Sequence, residues 1–181
     1  MIGVNCITNE IYCGHSDIAI QQYRNMRRVY MIQVIEHEIL EIENLVSYRG
    51  IVNQNLIERV GKDMEQKIKE AGGKNVGFPI TATYKLHKNG NIDLELLIPV
   101  DKKLENIEKY QFKNKLRIVN ALMAKNEGNI SNLQKTCDAI NAYIIENKLI
   151  PVTVGYNVTR INQNSYNPEI FVYVGVSDNI L

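Results

Sequence analysis

Two glutamates on alternating strands are the residues of this chain best placed to do chemistry. In the run from Ile92 to Ile98, Ile92, Leu94, Leu96 and Ile98 alternate with Asp93, Glu95 and Leu97, which sends the two sets to opposite faces of a strand. Glu169 opens a second such run, in which Ile170, Val172, Val174 and Val176 face one way and Glu169, Phe171 and Tyr173 the other. A sheet face carrying glutamates beside aromatic rings reads as a groove rather than as a solvated surface. Such a groove would serve to bind a ligand. General-base work would need a partner acid, nucleophile or electrophile, and no recognisable spacing supplies one.

The other reactive side chains carry less. Cys6, Cys13 and His15 make three metal ligands at most, with no second paired element to close a tetrahedral site. Three cysteines with no paired spacing suggest reduced thiols, and Cys137 falls on an apolar helix face as a small core residue. His15, His37 and His87 sit in a terminal loop, a strand entry and a hairpin turn, and read as surface bystanders. Phosphate-loop, dinucleotide, zinc-protease and nucleophile-elbow motifs are all absent from the sequence. We therefore expect no catalytic residue, no metal and no cofactor.

Positioning these groups requires one domain, and 181 residues suffice for it, burying roughly 70% of the unfolded surface. A 45% apolar and 23% charged composition is that of a globular chain. With 21 basic against 20 acidic residues the formal charge is +1, too little for the counterion release on which nucleic-acid binding rests. Arg24, Arg27 and Arg28 are then a basic turn on a solvated helix. No apolar run approaches the ~20 residues of a membrane span, and the first residues lack a signal-peptide pattern. The expectation is a cytoplasmic protein that binds neither nucleic acid nor membrane.

An internal repeat organises the chain. Pro79-Ile-Thr-Ala-Thr-Tyr84 and Pro151-Val-Thr-Val-Gly-Tyr156 share one pattern at an offset of 72 residues. Before the first copy, Glu38 to Tyr48 reads as a strand. A helix follows from about Asn53 to Ala71, its stripe formed by Leu56, Val60, Met64 and Ile68 and its end marked by Gly72-Gly73. Phe78 to Leu86 and Ile92 to Val100 are then strands joined by a turn containing Asn89-Gly90. Before the second copy, Tyr110 to Met123 reads as a strand, and a helix runs to about Asn147. Ser131 and Gln134 form its capping box, and Leu133, Cys137, Ile140 and Ile144 its apolar face. Val152 to Ile161 and Glu169 to Val176 complete the unit. Two βαββ units, over about 36–100 and about 108–177, give an α+β fold: one antiparallel sheet with both helices on one face and a groove on the other. Residues 1–35 stand outside as an extension, read as a helix from Ser16-Asp17 through Val34; residues 36–181 form the domain.

The order G-x-P-x(4)-Y, D-x-E-x-x-[IV]-P-V, a capped helix and a final E-[IV]-x-[IV] strand resembles the GyrI-like, or effector-binding, domains of bacterial transcription activators. Here the residues are Gly77, Pro79 and Tyr84, then Asp93, Glu95, Pro99 and Val100, then Glu169 to Val172. The chain is also similar to proteins encoded in polymorphic-toxin loci. The first resemblance implies a pocket between the halves, with Glu169 as the last-strand acid, Glu95 as its counterpart, and Tyr84, Tyr156, Phe171 and Tyr173 as the aromatic walls. Some members are hydrolases, but they use an aromatic pair with tryptophan, which this sequence lacks.

The leading expectation is thus a non-enzymatic domain binding an amphipathic or cationic small molecule. The alternatives are a protein-interaction role, as immunity or accessory partner of a toxin, and a small-molecule hydrolase. Oligomeric state is left open.

Overall fold

A computed structural model of the chain describes residues 32–105, 107–126, 132–161 and 168–177. The first unit consists of β1 (Val34–Asn53), α1 (Ile57–Glu70), β2 (Ile80–Leu86) and β3 (Asn91–Pro99); the second of β4 (Gln111–Asn126), α2 (Leu133–Glu146), the two-residue β5 (Ile150–Pro151), β6 (Tyr156–Ile161) and β7 (Pro168–Ser177). The duplicated βαββ layout is therefore present, in one large antiparallel sheet with two helices. Val34, expected to end a helix, instead starts β1; the remainder of that expected helix, and Cys6, Cys13, His15 and the three arginines, lie outside the described residues.

The sheet closes on itself. Antiparallel ladders run β4–β1–β3–β2–β6–β7, and β7 also pairs with β4 through Ala121↔Gly175 to Asn126↔Ile170. The β2–β6 junction is narrow, with only Thr81↔Asn157 and Ala82↔Tyr156 in register. Closure separates an inner from an outer face, and strand alternation assigns each side chain to one of them.

Both helices lie on the outer face. Met64 and Ile68 of α1 pack on Val46 of β1 and on Ile92, Leu94, Leu96 and Ile98 of β3, each fully buried apolar side chain contributing about 1.5–3 kcal/mol. Leu56 does not join this stripe. It sits in a single 3-10 turn, 48% exposed, and Ile57 takes the buried place. On α2, Leu133, Cys137, Ile140 and Ile144 pack on Leu122 and Ala124 of β4 and on Val172, Val174 and Val176 of β7, as the periodicity predicts. Cys137 is disulfide-bonded, which corrects the expectation of a reduced thiol while leaving its core position intact. The Gln134 amide donates to Asp138 at 2.8 Å; the Ser131 end of the expected capping box lies outside the described residues.

The inner face is lined by Leu40, Leu45, Ile80, Ala82, Leu97, Ile118, Ala121, Tyr156, Val158 and Tyr173. Backbone irregularities set which residues reach it. Asn44 has a φ of 52°, and inward positions change from Leu40 and Ile42 before it to Leu45 after it. On β4 the same shift occurs around Asn114, which lies between the register pairs Glu43↔Lys115 and Leu45↔Lys113. Asn44 suits its position because a short amide side chain tolerates the left-handed region. The β2–β3 turn spans residues 87–90, and it is Gly90, at φ 77°, that supplies the left-handed residue.

Candidate functional site

Glu95 occupies the middle of β3, facing inward with Leu97 while Leu94 and Leu96 face α1. It is 3% exposed. Three groups converge on its carboxylate. The Tyr84 hydroxyl donates to Oε2 at 3.2 Å, the Tyr156 hydroxyl reaches the same oxygen at 3.5 Å, and the Lys113 ammonium donates to Oε1. Burial holds the Tyr156 phenol well above the ordinary tyrosine range, and the hydrogen bond with Tyr84 and the charge of Glu95 act in the same direction. Three donors on a carboxylate with almost no water supply the hydrogen bonds that offset the cost of burying it.

Around this centre the inner face carries further cations. Arg49, directly opposite Glu95 in the β1–β3 register, forks onto both oxygens of Asp93 and lies 3.5 Å from the Tyr84 ring centroid. This fork and stack fix the ring that delivers its hydroxyl to Glu95. Arg160 of β6 donates to the Tyr173 hydroxyl at 2.8 Å and lies 5.1 Å from the Phe171 ring centroid and 5.7 Å from that of Tyr173. Burial raises the Tyr173 phenol above its usual value, against a lowering by the Arg160 charge. Glu169, at the start of β7, is ion-paired with Lys125 at 2.7 Å.

The expected site residues thus divide. Glu95, Tyr84 and Tyr156 meet in one hydrogen-bonded cluster, drawn from both repeats. Tyr173 and Phe171 belong to the same inner cluster of apolar contacts, but their described polar and cation contacts are with Arg160. Glu169 shares their strand face without sharing a described contact with Glu95. Lys113, Arg49 and Arg160 were not foreseen. For Arg160 a signal was available, since Tyr156, Val158 and Arg160 share one face of β6 by simple alternation; for Lys113 it was not, because the phase of β4 breaks at Asn114.

Among the described residues no group of three His, Cys, Asp or Glu side chains is arranged to hold a metal ion, and no helix is long and apolar enough to cross a membrane.

No protein-family model matches the chain, and no curated protein sequence matches it. Solved structures do. The chain superposes on EcmrR, in its DNA complex within EcmrR-RPo, with a TM-score of 0.64 and 18% identity, covering 90% of this chain and 66% of that one. It superposes on the crystal structure of the EcmrR C-terminal domain with a TM-score of 0.61 and 14% identity, covering 82% of this chain and 99% of that domain. The fold is that of the EcmrR C-terminal domain. At these identities the likeness is one of fold, and it agrees with the GyrI-like architecture that the motif order implies. The resemblance to polymorphic-toxin proteins finds no support among these structures.

Proposed function

We propose that the chain is a small-molecule-binding domain of the GyrI-like type, receiving an amphipathic or cationic compound at the inner face of the closed sheet, with Glu95 as the working carboxylate. The observation that carries this reading is the burial of Glu95 among Tyr84, Tyr156 and Lys113. A buried ion pair is a poor device for stability alone, because well-packed apolar residues in its place are often as stabilising or more so. A carboxylate held between aromatic rings is, in contrast, what recognition of a lipophilic cation needs. Fold likeness to a transcription regulator supports the same class of role without naming the compound.

Titration calorimetry with tetraphenylphosphonium, a cation with delocalised charge and aromatic faces, tests this reading. Wild type binds, Glu95→Gln loses about tenfold or more in affinity, and Glu169→Gln loses less, because Glu169 stands at the end of its strand. Affinity unchanged in Glu95→Gln removes Glu95 from the site, and a wild type that does not bind removes the reading.

A further inference from the structure

Three inward-facing carboxylates already hold protein cations: Glu95 holds Lys113, Asp93 holds Arg49 and Glu169 holds Lys125, whereas Glu38, opposite Ala121 and acting on the Tyr173 phenol, has no described ion pair. At these three positions a cationic ligand meets a neutral pair, and gains the carboxylate only by displacing the cation in place. The three pairs differ in how readily that happens. Arg49 is fastened by two bonds to Asp93 and by the Tyr84 ring. In the Lys125–Glu169 pair both partners reach solvent, with side chains 45% and 21% exposed. The Lys113–Glu95 pair is asymmetric. The carboxylate side chain is 4% exposed and the lysine 41%, so one partner is fixed in the interior while the other approaches it from water on a flexible stem.

We infer that Lys113 is a displaceable counter-ion: it occupies Glu95 in the ligand-free protein and gives way to the cationic group of the ligand, which thereby sets both affinity and preference for charge. This rests on the binding role proposed for Glu95. The exchange balances chemically. One ammonium leaves and one cation arrives, so Glu95 is never left uncompensated, which would be costly at its depth. Tyr84 and Tyr156 stay on Oε2 throughout and hold the carboxylate in place. The released ammonium regains hydration, which a compact charge on a four-carbon stem does readily. Neutral compounds of the same shape gain nothing from displacing Lys113 and are discriminated against.

Acetylation by an amine-reactive acetyl ester, read lysine by lysine by mass spectrometry on wild-type protein with and without saturating tetraphenylphosphonium, tests the exchange directly. Lys113 is expected to label severalfold faster with the cation bound, with Lys115, paired to Glu41 and Glu43, as the internal reference. Tetraphenylphosphonium that binds while Lys113 labelling stays constant or falls overturns the exchange and leaves the binding role of Glu95 standing. Absence of binding overturns both. Lys113→Met, which keeps length and removes charge, provides the second measure. Its affinity for tetraphenylphosphonium rises about tenfold, while that for neutral triphenylphosphine oxide does not change. An equal change for both compounds means that Lys113 acts by bulk, and the inference fails. If Lys113→Met does not fold, the labelling of wild type decides alone.

Discussion

Tyr84 and Tyr156, 72 residues apart at equivalent positions of the repeat, bring their hydroxyls to the same oxygen, Glu95 Oε2, at 3.2 and 3.5 Å. One tyrosine comes from each half, and the carboxylate belongs to the first half only. The duplication has thus been turned into a two-sided grip on a single buried charge, and the narrow β2–β6 junction, where Ala82 pairs with Tyr156, is what brings the two sides together.

That grip predicts a non-additive mutant cycle. Tyr84→Phe and Tyr156→Phe each remove one donor from a buried carboxylate and should each lower stability by about 1–2 kcal/mol. With one tyrosine present Glu95 retains a donor on Oε2; with both gone it keeps Lys113 alone. The double variant should therefore lose more than the sum of the single losses, by about 0.5 kcal/mol or more. Urea denaturation of the four proteins checks this, and strict additivity would mean that the two hydroxyls act independently.

Alkaline pH addresses the same residues. Tyr110, Tyr156 and Tyr173 are all raised above the ordinary tyrosine value of 10.0, chiefly by burial. A raised folded value means that the unfolded chain loses the proton first. The stability these phenols contribute is therefore fully present below pH 10 and declines above it, towards the folded values. Each contributes a slope of up to about 1.4 kcal/mol per pH unit. Denaturation midpoints from pH 8 to 11.5 should be flat at first and then fall, and Tyr156→Phe should fall less steeply than wild type. Equal slopes would mean that Tyr156 titrates alike in the folded and unfolded chain.

The helix ends provide a comparison between the repeats themselves. After α1, Gly72 has a φ of 76°, its N–H bonds Lys69 and the Gly73 N–H bonds Ile68. After α2 the same pair of bonds recurs, from Lys148 to Ile145 and from Leu149 to Ile144, but Lys148 adopts a φ of 54°. These are two Schellman ends, one with the residue suited to it and one without. Lys148→Gly should raise stability by about 1 kcal/mol, and Gly72→Ala should lower it by a similar amount. Thermal denaturation of both variants checks the signs, and a Lys148→Gly protein no more stable than wild type would mean that its side chain makes up for the backbone strain.

How much of this was legible in the sequence follows from which interactions are local. The face of Glu95, the inward set Glu169, Phe171 and Tyr173, and the α2 stripe all follow from periods of two or near four, which neighbouring residues display on their own. The pairing of Tyr84 with Tyr156 was visible as a repeat. Closure of the sheet was not, because the β4–β7 ladder joins segments whose pairing leaves no mark on either. The full length of β1 was hidden as well: Val34 to His37 and Arg49 to Asn53, which extend the strand read from Glu38 to Tyr48, lack a strand's apolar alternation. Lys113 was lost for a third reason. A lysine on an edge-like polar strand reads as solvated, and only the phase break at Asn114 turns it inward.

Arg160 allows the last test. It bonds the hydroxyl of Tyr173, a residue 1% exposed, and lies over Phe171 and Tyr173, the two rings that the sequence marks as walls of a cation site. Arg160→Ala leaves a buried phenol without this donor and should cost about 1–3 kcal/mol, and Arg160→Lys should recover only part because it cannot fork or stack alike. Since the Arg160 charge lowers the Tyr173 phenol, its removal should move the Tyr173 phenol still further up in a spectroscopic pH titration. If the rings contribute to ligand binding, removal also clears their faces of a competing cation, and tetraphenylphosphonium should bind Arg160→Ala more tightly than wild type. Calorimetry separates the two effects: lower stability with unchanged affinity confines Arg160 to holding β6 on β7, whereas tighter binding places Phe171 and Tyr173 in the wall that the ligand touches.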